Sequence, residues 1–362
     1  MRIVRLANFV TPTSGGLRTA LYSLGQGYAG AGHEPVLVIP GADHGEEDTP
    51  QGKVITLPGV HVPGLGGYRV MLRRRPLLDL LGRLDPDRLE VSDRTTLRWT
   101  GAWARAHGVP AVMVSHESLD GLLGVARLPG PALRWLAGRL NRNTARDYDR
   151  VICTTDWATR EFDRIGVRNV DQVPLGVDLD LFRPDRRAPH GGPGVLLVCC
   201  VRLSLEKRPQ RALTTLAALR SRGVDARLVI AGDGPLRERL EAEAAAGGLP
   251  VTFTGWMSDR GALADLLASA DVVIAPGPVE TFGLAALEAL ACGSPVVVSS
   301  SSALPGVVGD AGVAVAGEDM SAGVVELLGR PEAGRRAAAR ARAEMFGWDA
   351  AVRGFLAVHA DL

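Results

Sequence analysis

A chain of 362 residues, 46% hydrophobic and 22% charged, is too long for one ordinary core and reads as a globular protein of two domains. Its net charge of +1 excludes a general attraction to nucleic acid, so any basic site must be local. The cysteines at 153, 199, 200 and 292 have no metal-ligand spacing and read as reduced core thiols.

In chain order, the opening residues Arg2 to Phe9 read as a strand, with no signal-peptide pattern ahead of it. Leu17, Ala20, Leu21 and Leu24 follow helical spacing after Ser14-Gly15-Gly16, and Gly32 ends that helix. Further strands are predicted near 34–39, 53–57, 88–92, 111–115, 150–154 and 170–174. Segment 178–194, with Pro184, Pro189 and Gly191-Gly192, breaks the pattern and reads as a linker. Beyond it, strands near 194–201, 226–231, 251–254, 271–275, 295–299 and 312–315 alternate with helices near 207–222, 235–246, 259–269 and 283–292. A last helix, roughly 348–361, is expected to return to the first domain. Alternating strands and helices of this kind predict an α/β protein of two tandem, Rossmann-like, doubly wound domains facing a central cleft. The expected boundaries are 1–185 plus 348–362 for the first domain and 186–347 for the second. No apolar run approaches the roughly 20 residues needed to span a bilayer.

Open α/β sheets bind ligands beyond the carboxyl ends of their strands, and the chemistry-bearing residues gather there. Strand 194–201 runs into Arg202-Leu-Ser-Leu-Glu-Lys207, where two cations can neutralise a departing pyrophosphate. Lys207 is one of only two lysines among 41 basic residues, which suggests a need for a compact point charge. Ile230-Ala-Gly-Asp-Gly-Pro235 ends the next strand in a tight turn. Gly277-Pro-Val-Glu280-Thr-Phe-Gly-Leu284 leads into a helix whose first N–H groups suit a phosphate. Glu288 lies eight residues after Glu280, where it can accept from a ribose diol.

Each feature has a plain structural alternative. Arg202 and Lys207 could form a solvated turn, and the glycines around Asp233 could serve only the turn. Ser14 could cap a helix, His116 could be a satisfied core histidine, and Trp256 could simply pack.

Taken in order, Ser14-Gly15-Gly16, His116, Arg202…Lys207, Gly232-Asp-Gly-Pro235 and Glu280…Glu288 resemble the large family 4 of retaining GT-B glycosyltransferases. The resemblance covers nearly the whole chain. Segments Gly277–Glu288 and Ser115-His-Glu-Ser-Leu-Asp120 are most similar to actinobacterial enzymes that use GDP-mannose, although Gly277-Pro278 stands where many members have serine. The resemblance implies that Arg202 and Lys207 hold the diphosphate, that Glu280 meets the sugar hydroxyls, and that Glu288 binds the ribose. Phe282, Gly283 and Leu284 would offer backbone contacts, with Gly16 and Gly232 permitting close approach. Trp256 and Met257 would border the base, and His116 would lie beneath the sugar.

The activity implied is retaining transfer of a hexose, most readily mannose from GDP-mannose, to a hydroxyl acceptor, without a metal or other cofactor. No Asp-x-Asp of the metal-dependent kind is expected to act. A UDP-sugar donor, a sugar-nucleotide epimerase of the same fold and a non-catalytic binder are the alternatives. An epimerase would need further carboxylates, and only Glu117 adds to Glu280. A binder would be expected to lose Lys207 or Glu280.

The acceptor is expected near Tyr68 and Arg69, in a segment where Arg73, Arg74 and Arg75 adjoin Val70, Met71, Leu72, Leu77 and Leu78. Two readings compete there: a contact with an anionic lipid surface, or a helix begun by Pro76 that turns its leucines inward. A phosphorylated soluble acceptor would explain the arginines equally well. The resemblance to lipid mannosyltransferases of the family implies a basic surface in this part of the first domain, which keeps the lipid reading open. The partners are thus a nucleotide-sugar donor and a hydroxyl acceptor, lipid or phosphate-bearing, with no nucleic acid. The chain is expected in the cytoplasm, with peripheral contact at the inner face of the cell membrane as an alternative.

Overall fold

The computed structural model describes residues 1–10, 15–62, 68–116, 118–120, 130–188, 192 and 194–362. Ser14, Glu117, Pro189 and Gly191 lie outside them. The chain divides into two compact units, Met1–Gly176 with Trp348–Leu362, and Val177–Gly347. The division falls at Gly176, ahead of the composition break near 185. The intervening residues belong with the second unit: the Val177 N–H donates to Phe346 O at 2.8 Å and Arg340 donates to Phe182 O at 2.9 Å.

The first unit carries strands β1 (Arg2–Leu6), β2 (Glu34–Gly41), β3 (Gly45–Thr49), β4 (Gly52–Pro58), β5 (Val60–His61), β6 (Arg69–Val70), β7 (Arg88–Val91), β8 (Ala111–Ser115), β9 (Arg150–Cys153) and β10 (Val170–Gln172). Its helices are α1 (Gly16–Gly30), α2 (Arg74–Leu84), α3 (Thr100–Ala106), α4 (Gly130–Asp147) and α5 (Asp156–Asp163). Eight strands form one sheet in the order β10-β9-β8-β7-β1-β2-β4-β3, parallel except where the edge strand β3 runs against β4. The order reverses beside β1, which pairs with β2 on one side and β7 on the other.

In α2 the leucines turn inward: Leu77, Leu80 and Leu81 are buried, while Leu72 and Arg73 to Arg75 are exposed. Burial of three leucines contributes roughly 5–9 kcal/mol against leaving them in water, which fixes this helix as a core element.

The second unit holds β11 (Val195–Cys200), β12 (Ala226–Ala231), β13 (Val251–Gly255), β14 (Val272–Ala275), β15 (Val296–Ser299) and β16 (Gly312–Val315). Between and after them come α6 (Gln210–Ser221), α7 (Arg237–Ala246), α8 (Arg260–Ser269), α9 (Leu284–Ala291), α10 (Leu304–Val308), α11 (Ser321–Gly329) and α12 (Glu332–Glu344). The sheet is wholly parallel, in the order β13-β12-β11-β14-β15-β16, with its reversal between β11 and β14. Both faces are covered by helices, which is why strands such as Val195–Cys200 read as continuous apolar runs.

Helix α13 (Trp348–Ala360) returns to the first unit and packs on α1. There it meets a buried polar cluster. Arg5 Nε and the Tyr28 hydroxyl donate to opposite oxygens of Glu90 at 2.9 and 2.8 Å, and His359 Nε2 lies 3.1 Å from the second oxygen. Val352 of the same helix fills the space where Gly27 lacks a side chain; a Cβ there would stand 2.2 Å from Val352 Cγ2.

No helix among the described residues is long and apolar enough to cross a membrane. Cys153, Cys199 and Cys292 are buried and Cys200 is half-buried, all without a disulfide. Burial pushes the Cys153 thiol up to about 11 and those of Cys200 and Cys292 to about 12, so none is a ready nucleophile.

Candidate functional site

In the second unit the reversal of strand order leaves a crevice position beyond β11 and β14, where ligands of open sheets bind. Beyond β11 the chain passes Arg202, half-buried at the strand end, and makes one 3-10 turn, Leu205–Lys207. Arg208 follows with φ +50°, a left-handed conformation unusual for a non-glycine residue. This turn aims Lys207 at the loop beyond β14, where Nζ donates to Glu280 Oε1 at 2.7 Å. The two residues, 73 apart in sequence, meet only because β11 and β14 are neighbours.

Both elements are held from below by Arg211, a residue that the sequence reading passed over. Only 8% exposed, it donates to Pro276 O at 2.9 Å, just beyond β14, and to Ser299 Oγ at 3.2 Å, at the last residue of β15. Its other edge meets Glu318, whose carboxyl Arg211 and then Arg208 hold down to about 2. A signal existed in the sequence: Arg211 lies four and eight residues before the buried Thr215 and Leu219, on the apolar stripe of α6.

The glycines divide into two kinds. A Cβ on Gly232 would stand 2.0 Å from Val201 O, and one on Gly234 would stand 2.5 Å from Leu203 O. Their bareness therefore lets the β12 turn lie directly on the segment that carries Arg202. Gly283 caps α9 at φ +74°, and its Cβ would meet Leu304 Cδ2 at 2.2 Å. Gly283→Ala is expected to cost about 2–4 kcal/mol through left-handed strain and overpacking, read as a lowered thermal midpoint. An unchanged midpoint would contradict this packing. Gly15, the N-cap of α1, is different: no described atom lies within 4 Å of its missing Cβ, and Gly16 beside it is exposed.

At the start of α9, Phe282 and Leu284 are buried, and Phe282 packs edge-on against Phe346 with ring centroids 6.2 Å apart. The helix opens after Gly283, so its first N–H groups point out of the N-terminus as a phosphate site requires. Glu288, one turn in, is buried, and Oε1 accepts from Arg260 Nη2 at 2.6 Å. Burial raises the Glu288 pKa, with the Arg260 charge opposing. Arg260 itself lies over the Phe182 ring, 4.9 Å from its centroid. No short spacing in the sequence links Arg260 to Glu288. Trp256, 44% exposed beyond β13, presents its indole to solvent rather than to the core.

In the first unit the corresponding region lies beyond β1, β7 and β8. His116 follows β8 and is half-buried, with Nε2 3.2 Å from Ser92 Oγ beyond β7. Burial pushes its pKa down to about 4, so the imidazole is neutral near pH 7. The next residues are fixed by Glu161 of α5, whose buried carboxylate accepts from the Ser118 hydroxyl at 2.5 Å and from the N–H groups of Leu119 and Asp120, each at 3.2 Å. Beyond β1, Phe9 takes φ +59° and packs edge-on against Tyr68, centroids 6.1 Å apart. Arg69 donates to Gly59 O at 2.9 Å. Among the described residues no group of three or more His, Cys, Asp or Glu side chains is placed to hold a metal ion.

Two doubly wound units with charge at their strand ends define a GT-B fold, and solved structures share it across their full length. The Anabaena HepE protein in complex with UDP-glucose superposes with a TM-score of 0.76 at 16% identity, covering 100% of both chains. Sucrose-phosphate synthase from Thermosynechococcus elongatus superposes with a TM-score of 0.78 at 20% identity, covering 99% of this chain and 98% of that one. Residues 185–344 match the family model "Glycosyl transferases group 1", and residues 15–177 match the "Glycosyl transferase 4-like domain". The GDP-mannose-dependent alpha-(1-6)-phosphatidylinositol dimannoside mannosyltransferase of Mycobacterium tuberculosis is 51% identical, over 99% of this chain and 95% of its own. A D-inositol 3-phosphate glycosyltransferase of Catenulispora acidiphila is 34% identical over 71% of this chain and 68% of its own. The chain belongs to this family of glycosyltransferases.

Proposed function

We propose that the chain transfers mannose from GDP-mannose to a hydroxyl of a phosphatidylinositol-based lipid, with retention and without a metal. The observation that carries this reading is the 51% identity with the M. tuberculosis mannosyltransferase along almost the entire chain. The Lys207–Glu280 pair at the β11/β14 reversal supports it from the geometry. In this reading the bond between sugar C1 and the phosphate oxygen breaks with oxocarbenium character. Arg202, Lys207 and the α9 N-terminus take up the negative charge of the departing diphosphate. The acceptor oxygen bonds to C1 on the face the diphosphate leaves, and its proton passes to that diphosphate, giving GDP and an α-mannoside. Glu280 orients sugar hydroxyls, Glu288 accepts from the ribose diol, and Trp256 borders the base. Neutral His116 hydrogen-bonds the sugar, and Tyr68 and Arg69 line the approach of the acceptor. We place this work at the cytoplasmic face of the membrane, with the exposed Leu72 to Arg75 as a contact to anionic lipid.

The test is a donor and acceptor matrix in excess chelator. Acceptor-dependent release of GDP from GDP-mannose, with an α-linked product, is expected. A requirement for added divalent metal, or faster transfer from UDP-glucose, would overturn the reading. Nucleotide release without an acceptor would point to the epimerase class.

The two glutamates should separate kinetically. Glu288→Ala is expected to weaken GDP-mannose binding more than it slows the bound reaction, because ribose contacts persist into the transition state. Glu280→Ala should depress turnover, since sugar hydroxyls move as the ring flattens. Calorimetric titration beside single-turnover rates checks both, and the opposite pattern would exchange their roles.

A further inference from the structure

Helix α4 turns an unusual face to solvent. Trp135 is 64% exposed, and Arg139, Arg142 and Arg146 are exposed with it. The spacing i, i+4, i+7, i+11 places all four on one stripe about 16 Å long, flanked by the exposed Arg134. The Arg139 guanidinium lies over the Trp135 ring, 5.8 Å from its centroid. From Gly130 to Arg146 there is no acidic residue, and among the described residues Arg134, Arg139 and Arg142 have no carboxylate partner. Arg146 shares Asp147 with Arg98. The opposite face is ordinary core, with Leu133, Ala137, Thr144 and Ala145 buried.

We propose that this stripe of α4 docks on an anionic lipid surface, a second contact besides Leu72–Arg75 that rests on the lipid-acceptor reading above. The charge selects the occupant: planar guanidinium groups pair with phosphates, and an exposed indole with a cation beside it suits the interface between headgroups and acyl chains. The stripe is a convex helix face with a single aromatic side chain. A single-stranded nucleic acid is held differently, by a groove with several stacking rings. The inner side of α4 gives the docking a purpose. Asn141 donates to Glu161 at 3.2 Å, and the same carboxylate fixes residues 118–120 just after His116. A membrane held against α4 is therefore linked, through Asn141 and Glu161, to the residues that directly follow His116.

Co-sedimentation of the full chain with phosphatidylcholine vesicles, with and without phosphatidylglycerol, tests this at low salt. Wild type should bind the anionic vesicles. The Arg139→Ser, Arg142→Ser, Arg146→Ser triple variant should bind them about a hundredfold more weakly, and Trp135→Ser about tenfold more weakly. Both variants should keep the wild-type thermal midpoint and its rise on adding GDP, which separates failure of this surface from failure of the donor reading. Undiminished vesicle binding by both variants would overturn the proposal, as would absence of binding by the wild type. Tighter retention on single-stranded DNA than on anionic vesicles would assign the stripe to nucleic acid instead and equally overturn it.

Discussion

Lys207→Ala is expected to lower turnover by about two to three orders of magnitude, the scale of removing one preorganised charge from a transition state. Arg202→Ala should lower it by a similar factor. The structure sharpens this expectation by showing what else the lysine does. Its ammonium touches Glu280 at 2.7 Å, so removing it also leaves that carboxylate without its cation. The pair is 27% and 18% exposed, and an ion pair so placed contributes only about 0–1 kcal/mol to stability. Lys207→Ala should therefore keep its thermal midpoint while losing its rate. Introduced into a Glu280→Gln background, the same change should cost less than it does alone, since the two act together. Turnover within threefold of wild type would remove Lys207 from the chemistry. A large fall in thermal midpoint would assign it to the fold.

The largest stability effect is expected from Glu90→Ala. Glu90 is 1% exposed and serves Arg5, Tyr28 and His359 at once, so its loss leaves a guanidinium buried without a counter-charge. Breaking a buried pair in this way costs about 3–5 kcal/mol, or roughly 10 °C in the midpoint of a unit this size. A pH dependence follows. Burial alone would raise the Glu90 pKa, but Arg5 and His359 outweigh it and hold the carboxyl well below the usual range. Its contribution is therefore complete above the pKa of an unfolded glutamate, about 4.3. It is lost as pH falls from there through the lower folded value. Wild type should show this acid limb in its thermal midpoint, and Glu90→Gln should lack it. Equal midpoints for Glu90→Ala and wild type at neutral pH would contradict the role given to the cluster.

The alternation of strands and helices was legible because both sheets are covered on two faces, which turns their strands into apolar runs. Strands such as β11 and β12 stand within a residue or two of the ranges expected for them. The edge strand β3, Gly-Glu-Glu-Asp-Thr, was not legible, because a mostly exposed antiparallel edge needs no apolar alternation. At the site, residues at strand ends announced themselves by position. Residues that position others did not. Arg260 and Glu161 act across 28 and 43 residues, on Glu288 and Ser118 respectively, and such pairings exist only once the sheet order is known. Phe9 could not be foreseen either, since its left-handed backbone follows from a loop held by Asn8, which donates to Asp93 and accepts from Met71 N–H.

The return of α13 to the first unit also sets an order of events during synthesis. The second unit is one continuous stretch and holds all its strands as soon as it has left the ribosome. The first unit must wait, with Glu90 lacking His359 and Gly27 lacking Val352, until the intervening unit has been translated. At about 5–20 residues per second that delay is roughly ten to thirty seconds. The N-terminal half thus begins synthesis first yet cannot complete its core until α13 has been made, and over that interval its unfinished surface is open to misassociation.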